Sequence, residues 1–245
     1  AALFLDLDGT LAPIAPTPEA VELSPAMLDT LAGLQAACCG ALAVVSGRGV
    51  ADLDRLLAPL RLPVAGLHGA HWRDAARREQ QIEVDLAALA GVAAALRPLL
   101  REQPAIRLED KGRSLAVHFR QAPECGERVH QVLRQALQAH ADGFALQAGK
   151  MVWEVRPRQA SKGAAIRRFM QQPPFSGRVP VFIGDDVTDE SGFEAVNALG
   201  GTSVKVGAGA SAARLRLADP PAVLRCLQAM LQRDRPVSPQ PQKAP

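Results

Sequence analysis

The segment FLDLDGTLAPI, residues 4–14, decides how this 245-residue chain is read. An apolar run closes on two carboxylates, Asp6 and Asp8, followed by Gly9 and Thr10. In an extended chain, residues two apart face the same way, so both acids leave the strand together. The carboxyl edge of an open α/β sheet is where such folds bind ligands. Two like charges held there need a cation, a shared proton, or both. Taken alone, an Asp-x-Asp pair more often serves a turn or caps a helix.

GDDVTDE, residues 184–190, also follows an apolar strand and adds Asp185, Asp186, Asp189 and Glu190. Asp189 and Glu190 suit a helix N-terminus, where the macrodipole favours acids. Asp185 and Asp186 lie before that helix and are not explained by it. Together with Asp6 and Asp8 they exceed what one site holds without a metal. Hard oxygen ligands with few His or Cys point to Mg²⁺, held by one or two carboxylates and substrate phosphate. VVSGR, residues 44–48, supplies the Ser46 hydroxyl and the bare backbone of Gly47 at a third strand end. ASKGAAI, residues 160–166, opens a helix with Ser161 as N-cap. Lys162 then falls in the first turn, opposing the helix dipole by about 0.3–1 kcal/mol when exposed. A phosphate at that end would reverse the sign.

Around these motifs the pattern is that of an α/β sheet. Strands are expected at 2–6, 41–45 and 63–69, with helices at 25–37 and along Val50, Leu53, Leu56 and Leu57. Almost wholly apolar strands alternating with helices make a parallel sheet covered on both faces. The pattern then changes. A helix at 83–103 is kinked or restarted by Pro98. Strands at 105–110 and 114–119 join through Lys111-Gly112-Arg113, and a helix behind Pro123 carries the stripe Val129, Val132, Leu133, Ala136, Leu137 and His140. A second hairpin follows at 144–155, bent at Gly149-Lys150. The first pattern resumes with a helix after Ser161, a strand at 178–184, a helix at 189–198, a strand at 202–207 and a helix at 220–232. The expected division is a core of residues 1–75 and 158–233, an α+β insert of residues 76–157, and a disordered Pro-rich tail at 234–245.

Composition limits the function classes. A net charge of +3, scattered along the chain, does not argue for nucleic acid. The uncharged apolar stretch AACCGALAVV at 36–45 is half of the roughly 20 residues that cross a bilayer. No basic start leads into an apolar signal region, so no membrane partner and a cytoplasmic location are expected. Cys38, Cys39, Cys125 and Cys226 show no C-x-x-C pattern and read as small buried hydrophobes in a reducing compartment. A monomer acting on a small molecule is the simplest expectation. Lysine is scarce beside arginine, which draws attention to each lysine as a compact point charge. Glu109 with Lys111, and Lys150 with Glu154, set carboxylate and ammonium together at or beside hairpin bends, a pairing suited to sugar hydroxyls. His118, Trp72 and Trp153 read as packing, and GAGAS at 207–211 as a loop. His68 and His71 find no third metal ligand.

DLDGT, a hydroxyl after a second strand, a lysine and GDDxxD, in that order, resemble the haloacid dehalogenase superfamily. The insert lies where that superfamily carries a C2-type cap. A finer resemblance, to the trehalose-6-phosphate phosphatase family, runs through FLDLDGTLAPI, VVSGR, GLHGAHW, LEDKGRSLAVHFR, WEVRP, SKGAAI and GDDVTDE, nearly the whole chain apart from the tail. The resemblance implies a Rossmann-like parallel-sheet core with an inserted cap. It implies hydrolysis of trehalose 6-phosphate to trehalose and phosphate, the last step of trehalose synthesis. Asp6 would be nucleophile and metal ligand, and Asp8 general acid then base, with its carbonyl on the metal. Asp185 and Asp189 would complete or support the Mg²⁺ site. Ser46 and Lys162 would hold phosphate. Glu109, Lys111, Arg120, Lys150 and Glu154 match positions that grip the sugar; Gly47, Arg48 and His68 are further expected substrate contacts, His68 at the cap hinge. Ser161 and Ser191 stand where family members commonly have Asn and Asp. The alternatives are another capped sugar phosphatase, of the sucrose-phosphate or mannosyl-phosphoglycerate kind, and a silent sugar-phosphate sensor. Residue chemistry supports the scheme: an ionised Asp6 attacks, and its charge keeps Asp8 protonated for the leaving sugar oxygen.

Overall fold

The computed structural model describes residues 1–140 and 142–233; the expected tail at 234–245 lies outside them. In chain order the first elements are β1 (Ala2–Leu5), α1 (Pro25–Ala37), β2 (Leu42–Val45), α2 (Val50–Leu57), β3 (Val64–Gly66), β4 (His71–Arg73) and β5 (Glu79–Gln81). Then come α3 (Leu86–Glu102), β6 (Arg107–Asp110), β7 (Leu115–His118), α4 (Gly126–Ala136), β8 (Phe144–Gly149) and β9 (Val152–Pro157). The chain closes with α5 (Lys162–Met170), β10 (Pro180–Gly184), α6 (Glu190–Ala198), β11 (Thr202–Val206), β12 (Leu215–Leu217) and α7 (Pro220–Arg233). No helix among the described residues is long and apolar enough to cross a membrane.

One sheet runs in the order β12-β11-β10-β1-β2-β3-β4-β5. Its strands from β12 to β3 are parallel. All four residues of β1 and of β2 are buried, as central strands covered on both faces must be. With β1 between β10 and β2, the strand-end segments carrying Asp6, Ser46 and Asp185 emerge side by side. Chain direction thus brings acids about 180 residues apart in sequence to one edge.

Two short antiparallel strands, β4 and β5, extend this sheet. The expected core boundary at residue 75 falls inside their hairpin, so the sheet carries the core through Gln81. β12 is a further strand that the sequence did not announce. Pro98 does not restart a helix, because α3 continues through it. Cys38 and Cys125 are buried as expected, but Cys39 is exposed at the end of α1 and Cys226 is half-buried.

The insert is built on a second sheet, antiparallel, in the order β6-β7-β9-β8. Pairing of β7 with β9 joins the two expected hairpins into one surface. The register puts Glu109, Ala116, Glu154 and Gln147 in one cross-strand row, and Leu108, Val117, Trp153 and Ala148 in the next. Side chains alternate between faces along each strand, so the two rows face opposite ways. Leu108, Val117 and Trp153 of the second row pack with Leu89, Val92 and Leu96 of α3 and with Val129 and Leu133 of α4 in a core separate from that of the larger sheet. Burying that face leaves both glutamates on the other. Trp153 belongs to the packing, donating its indole N–H to the Gly126 carbonyl at 3.0 Å and stacking on His130.

Candidate active site

A cavity of about 750 Å³ separates the carboxyl edge of the large sheet from the polar face of the small one. Asp6, Ser46, Lys162 and Asp185 line its core side; Glu109, Lys111, Arg120, Lys150 and Glu154 line the opposite side. The core side is a charge cluster. Lys162 Nζ lies 2.6 Å from Asp6 Oδ1 and 2.6 Å from Asp189 Oδ1, with all three side chains buried. Ser161 caps α5 through its Oγ, which accepts the Ala164 N–H at 3.0 Å, and so aims Lys162 inward from the first turn. The expected dipole penalty is outweighed by the two carboxylates. Burial works against the Lys162 charge, yet Asp189 and Asp6 hold its pKa above the ordinary lysine value.

Burial is also the main force on Asp6, pushing its carboxyl well above the ordinary range; Asp189 and Asp185 add to this and Lys162 opposes it. Asp185 is pushed up to about 6, first by burial and then by Asp189, with Lys150 acting the other way. The sequence expectation was a protonated Asp8 beside an ionised Asp6. Burial raises the Asp6 carboxyl itself. Asp8 instead receives the guanidinium fork of Arg48, Nε to Oδ2 at 2.7 Å and Nη2 to Oδ1 at 2.8 Å. Arg48, which also lines the cavity, meets the acid there.

Ligand oxygens of Asp6, Asp185 and Asp189 lie within 4.8 Å of one another. An all-carboxylate donor set with uncompensated negative charge fits a hard divalent cation. Asp189 is already engaged: its Oδ2 accepts the N–H groups of Asp185 and Asp186 at 3.0 and 2.9 Å. Its part is to frame the loop and anchor Lys162. Gly9 allows the close approach of Asp185 to the first strand's end. With φ +79 it occupies the left-handed region, and a Cβ there would sit 2.2 Å from Asp185 Oδ2.

A family model described as trehalose-phosphatase matches residues 4–221. The chain belongs to that family. It is 46% identical over 227 residues to the trehalose-6-phosphate phosphatase of Escherichia coli, covering 93% of this chain and 85% of that protein. It is 43% identical to a probable trehalose-phosphate phosphatase of Sinorhizobium fredii, covering 84% and 77%. In fold it is similar to the C-terminal domain of the C. albicans trehalose-6-phosphate phosphatase, with a TM-score of 0.82, 24% identity, and coverage of 94% and 91%.

In this trehalose-phosphatase chain the cap residues expected to meet sugar are brought together. Glu154 is held by His68 Nε2 at 2.7 Å and by Lys111 Nζ at 3.1 Å. Burial pushes the Glu154 carboxyl up, but His68 and Lys111 together overcome it and leave it well below the ordinary range. Glu109 pairs with His118 at 2.9 Å and lies 4.0 Å from Lys111. Lys150, at the bend, reaches to within 3.7 Å of Asp185 rather than toward Glu154 as its hairpin spacing suggested. Ser46 is buried, its Oγ accepting the Arg48 N–H at 3.2 Å. Two functional neighbours were missed. Thr10 Oγ1 donates to Asp6 Oδ2 at 3.4 Å. Lys205, buried, donates from Nζ to the Asp185 carbonyl. The scarcity of lysine was the available signal for Lys205, since it interrupts the apolar strand TSVKV.

Proton and metal would compete for Asp185. Divalent-cation affinity is expected to fall as pH drops below about 6, by about tenfold per unit at most for one competing proton. Calorimetric titration at pH 7.5 and pH 5 checks this; equal affinities would remove Asp185 from the ligand set.

Proposed function

We propose that this chain hydrolyses trehalose 6-phosphate to trehalose and phosphate through an aspartyl-phosphate on Asp6. The observation that carries the reading is Asp6, held 2.6 Å from Lys162 on the floor of a cavity whose facing wall bears Glu109, Lys111 and Glu154. A carboxylate is a poor nucleophile toward a phosphate dianion unless positive charge offsets the repulsion. Lys162 and the Ser46 hydroxyl offer that offset and seat the phosphoryl oxygens. Mg²⁺ is the proposed metal, held by Asp6, Asp185 and the Asp8 carbonyl with Asp189 behind them. When bound it neutralises charge on nucleophile and phosphate alike. Asp8, turned out of the Arg48 fork, gives a proton to the departing sugar oxygen and later takes one from the water that cleaves the acyl-phosphate.

The insert, following Gln81 and ending at Pro157, acts in this reading as a cap that excludes water in the first step and admits it in the second. Glu109, Lys111, Arg120 and Glu154 supply donors and acceptors for the disaccharide hydroxyls. A doubly charged sugar phosphate does not cross a bilayer unaided, which favours a cytoplasmic site of action.

Phosphate release from a panel of sugar phosphates, with Mg²⁺ and with chelator, tests the proposal. Metal-dependent preference for trehalose 6-phosphate supports it. Preference for sucrose or mannosyl-glycerate phosphates replaces the substrate, and no turnover of any makes the chain a sensor. Asp8→Asn is expected to slow the first turnover of trehalose 6-phosphate by about 10²–10⁴-fold, the usual worth of a general acid. The first-turnover burst of p-nitrophenol should change far less, because that leaving group needs no proton. Equal slowing of both in rapid-quench kinetics would remove the acid role.

A further inference from the structure

His68 sits where three parts of the molecule meet. Its backbone N–H donates to the Ser46 carbonyl at 2.9 Å, on the strand end that seats phosphate. Its ring lies against Gly47, where a Cβ would come within 2.7 Å of the imidazole. Its Nε2 reaches across to Glu154 of the cap at 2.7 Å. The contact is enclosed: the side chains of His68 and Glu154 are 10% and 16% exposed. Because a carboxylate only accepts, Nε2 carries the proton in this bond. Nδ1 is buried with no partner, so the ring's placement is set by Glu154 and by packing.

The backbone is forced as well. Leu67 and His68 take φ values of +50 and +55, a left-handed conformation that side-chain-bearing residues adopt at a cost. Two such residues in succession persist only where the surroundings over-determine them, and they concentrate at functional sites. Here the surroundings are the glycine at 47 and the carboxylate at 154.

We propose that His68 is a positioning residue. It locks Glu154 in its sugar-binding orientation and, through the same bond, holds the cap against the phosphate-seating loop. His68 then acts on the sugar through Glu154, not as a separate sugar ligand. The sugar arm rests on the functional reading above; the cap arm does not.

Two measurements test it on the purified chain. The first is calorimetric titration of the Mg²⁺-loaded protein with trehalose. His68→Ala and Glu154→Ala should each weaken binding by about tenfold or more, and the double variant should be no weaker than Glu154→Ala, as for two residues acting as one unit. His68→Gln, whose amide N–H can take the place of Nε2–H, should stay within about threefold of wild type. Weakening in the double variant equal to the product of the single effects, or His68→Gln matching His68→Ala, would overturn the proposal. The second is small-angle scattering of the unliganded protein, which needs no substrate. His68→Ala and Glu154→Ala should raise the radius of gyration, and His68→Gln should not. Unchanged scattering in all three would overturn the cap contact even if the sugar were misassigned. A wild-type chain indifferent to trehalose that still opens in His68→Ala would fault the substrate and leave the contact standing.

Discussion

Asp6→Asn should release no measurable phosphate, a loss of about 10⁴-fold or more, yet be at least as heat-stable as the wild-type protein without metal. The loss follows because an amide cannot attack phosphorus as a carboxylate does; removing a nucleophile from an assembled set typically costs this much. The retained stability follows from burial. Asp6 is raised well above the ordinary carboxyl range, chiefly by desolvation. A carboxyl with a raised folded-state pKa contributes stability that is full below its unfolded value, near 3.9, and is lost as pH rises through the folded value. As pH rises through that folded value, the charge Asp6 takes on is a burden that Asn removes, while its amide oxygen can still accept from Lys162. The gain should grow from acid toward neutral pH and shrink when Mg²⁺ is added. Thermal unfolding at pH 5 and 7.5, with and without Mg²⁺, checks it. A large destabilisation at pH 7.5 would mean that the Asp6 charge is part of the fold rather than of the site.

Lys162→Met should damage both stability and activity. Its ammonium pairs with both Asp6 and Asp189, which are buried. Removing one member of a buried ion pair costs about 3–5 kcal/mol, because the remaining charge is left in a medium that solvates it poorly. The folded-state pKa of Lys162 lies above the ordinary lysine value, so its contribution is full below about 10.4 and is lost only as pH rises beyond that. The deficit should thus be present at every working pH and show in urea unfolding at pH 7.5. Activity should fall by about 10²-fold or more, since the attacking carboxylate and the phosphate lose their shared counter-charge. A variant as stable as wild type would contradict the pairing; near-normal turnover would leave Mg²⁺ alone to offset the charge.

The acids, the lysine and the serine were legible because each follows an apolar strand or opens a helix, and parallel strands deliver their ends to one edge. What was hidden depends on contacts distant in sequence. Nothing local says that Arg48 forks onto Asp8, 40 residues away, or that His68 meets Glu154, 86 residues away. β5 was unreadable because Glu79, Gln80 and Gln81 are polar and exposed, and only pairing with β4 makes them a strand. Spacing predicts repulsion between Asp6 and Asp8, whereas the burial of Asp6 and its approach to Asp189 depend on contacts distant in sequence.

The central claim is that Asp6 takes the phosphoryl group. Acid quenching during turnover of trehalose 6-phosphate with Mg²⁺, followed by peptide mapping in the mass spectrometer, should find a transient phosphoryl adduct on Asp6. The adduct should be absent in Asp6→Asn and should accumulate in Asp8→Asn when p-nitrophenyl phosphate is the donor. An adduct on any other side chain, or full-rate hydrolysis by Asp6→Asn, would contradict the account.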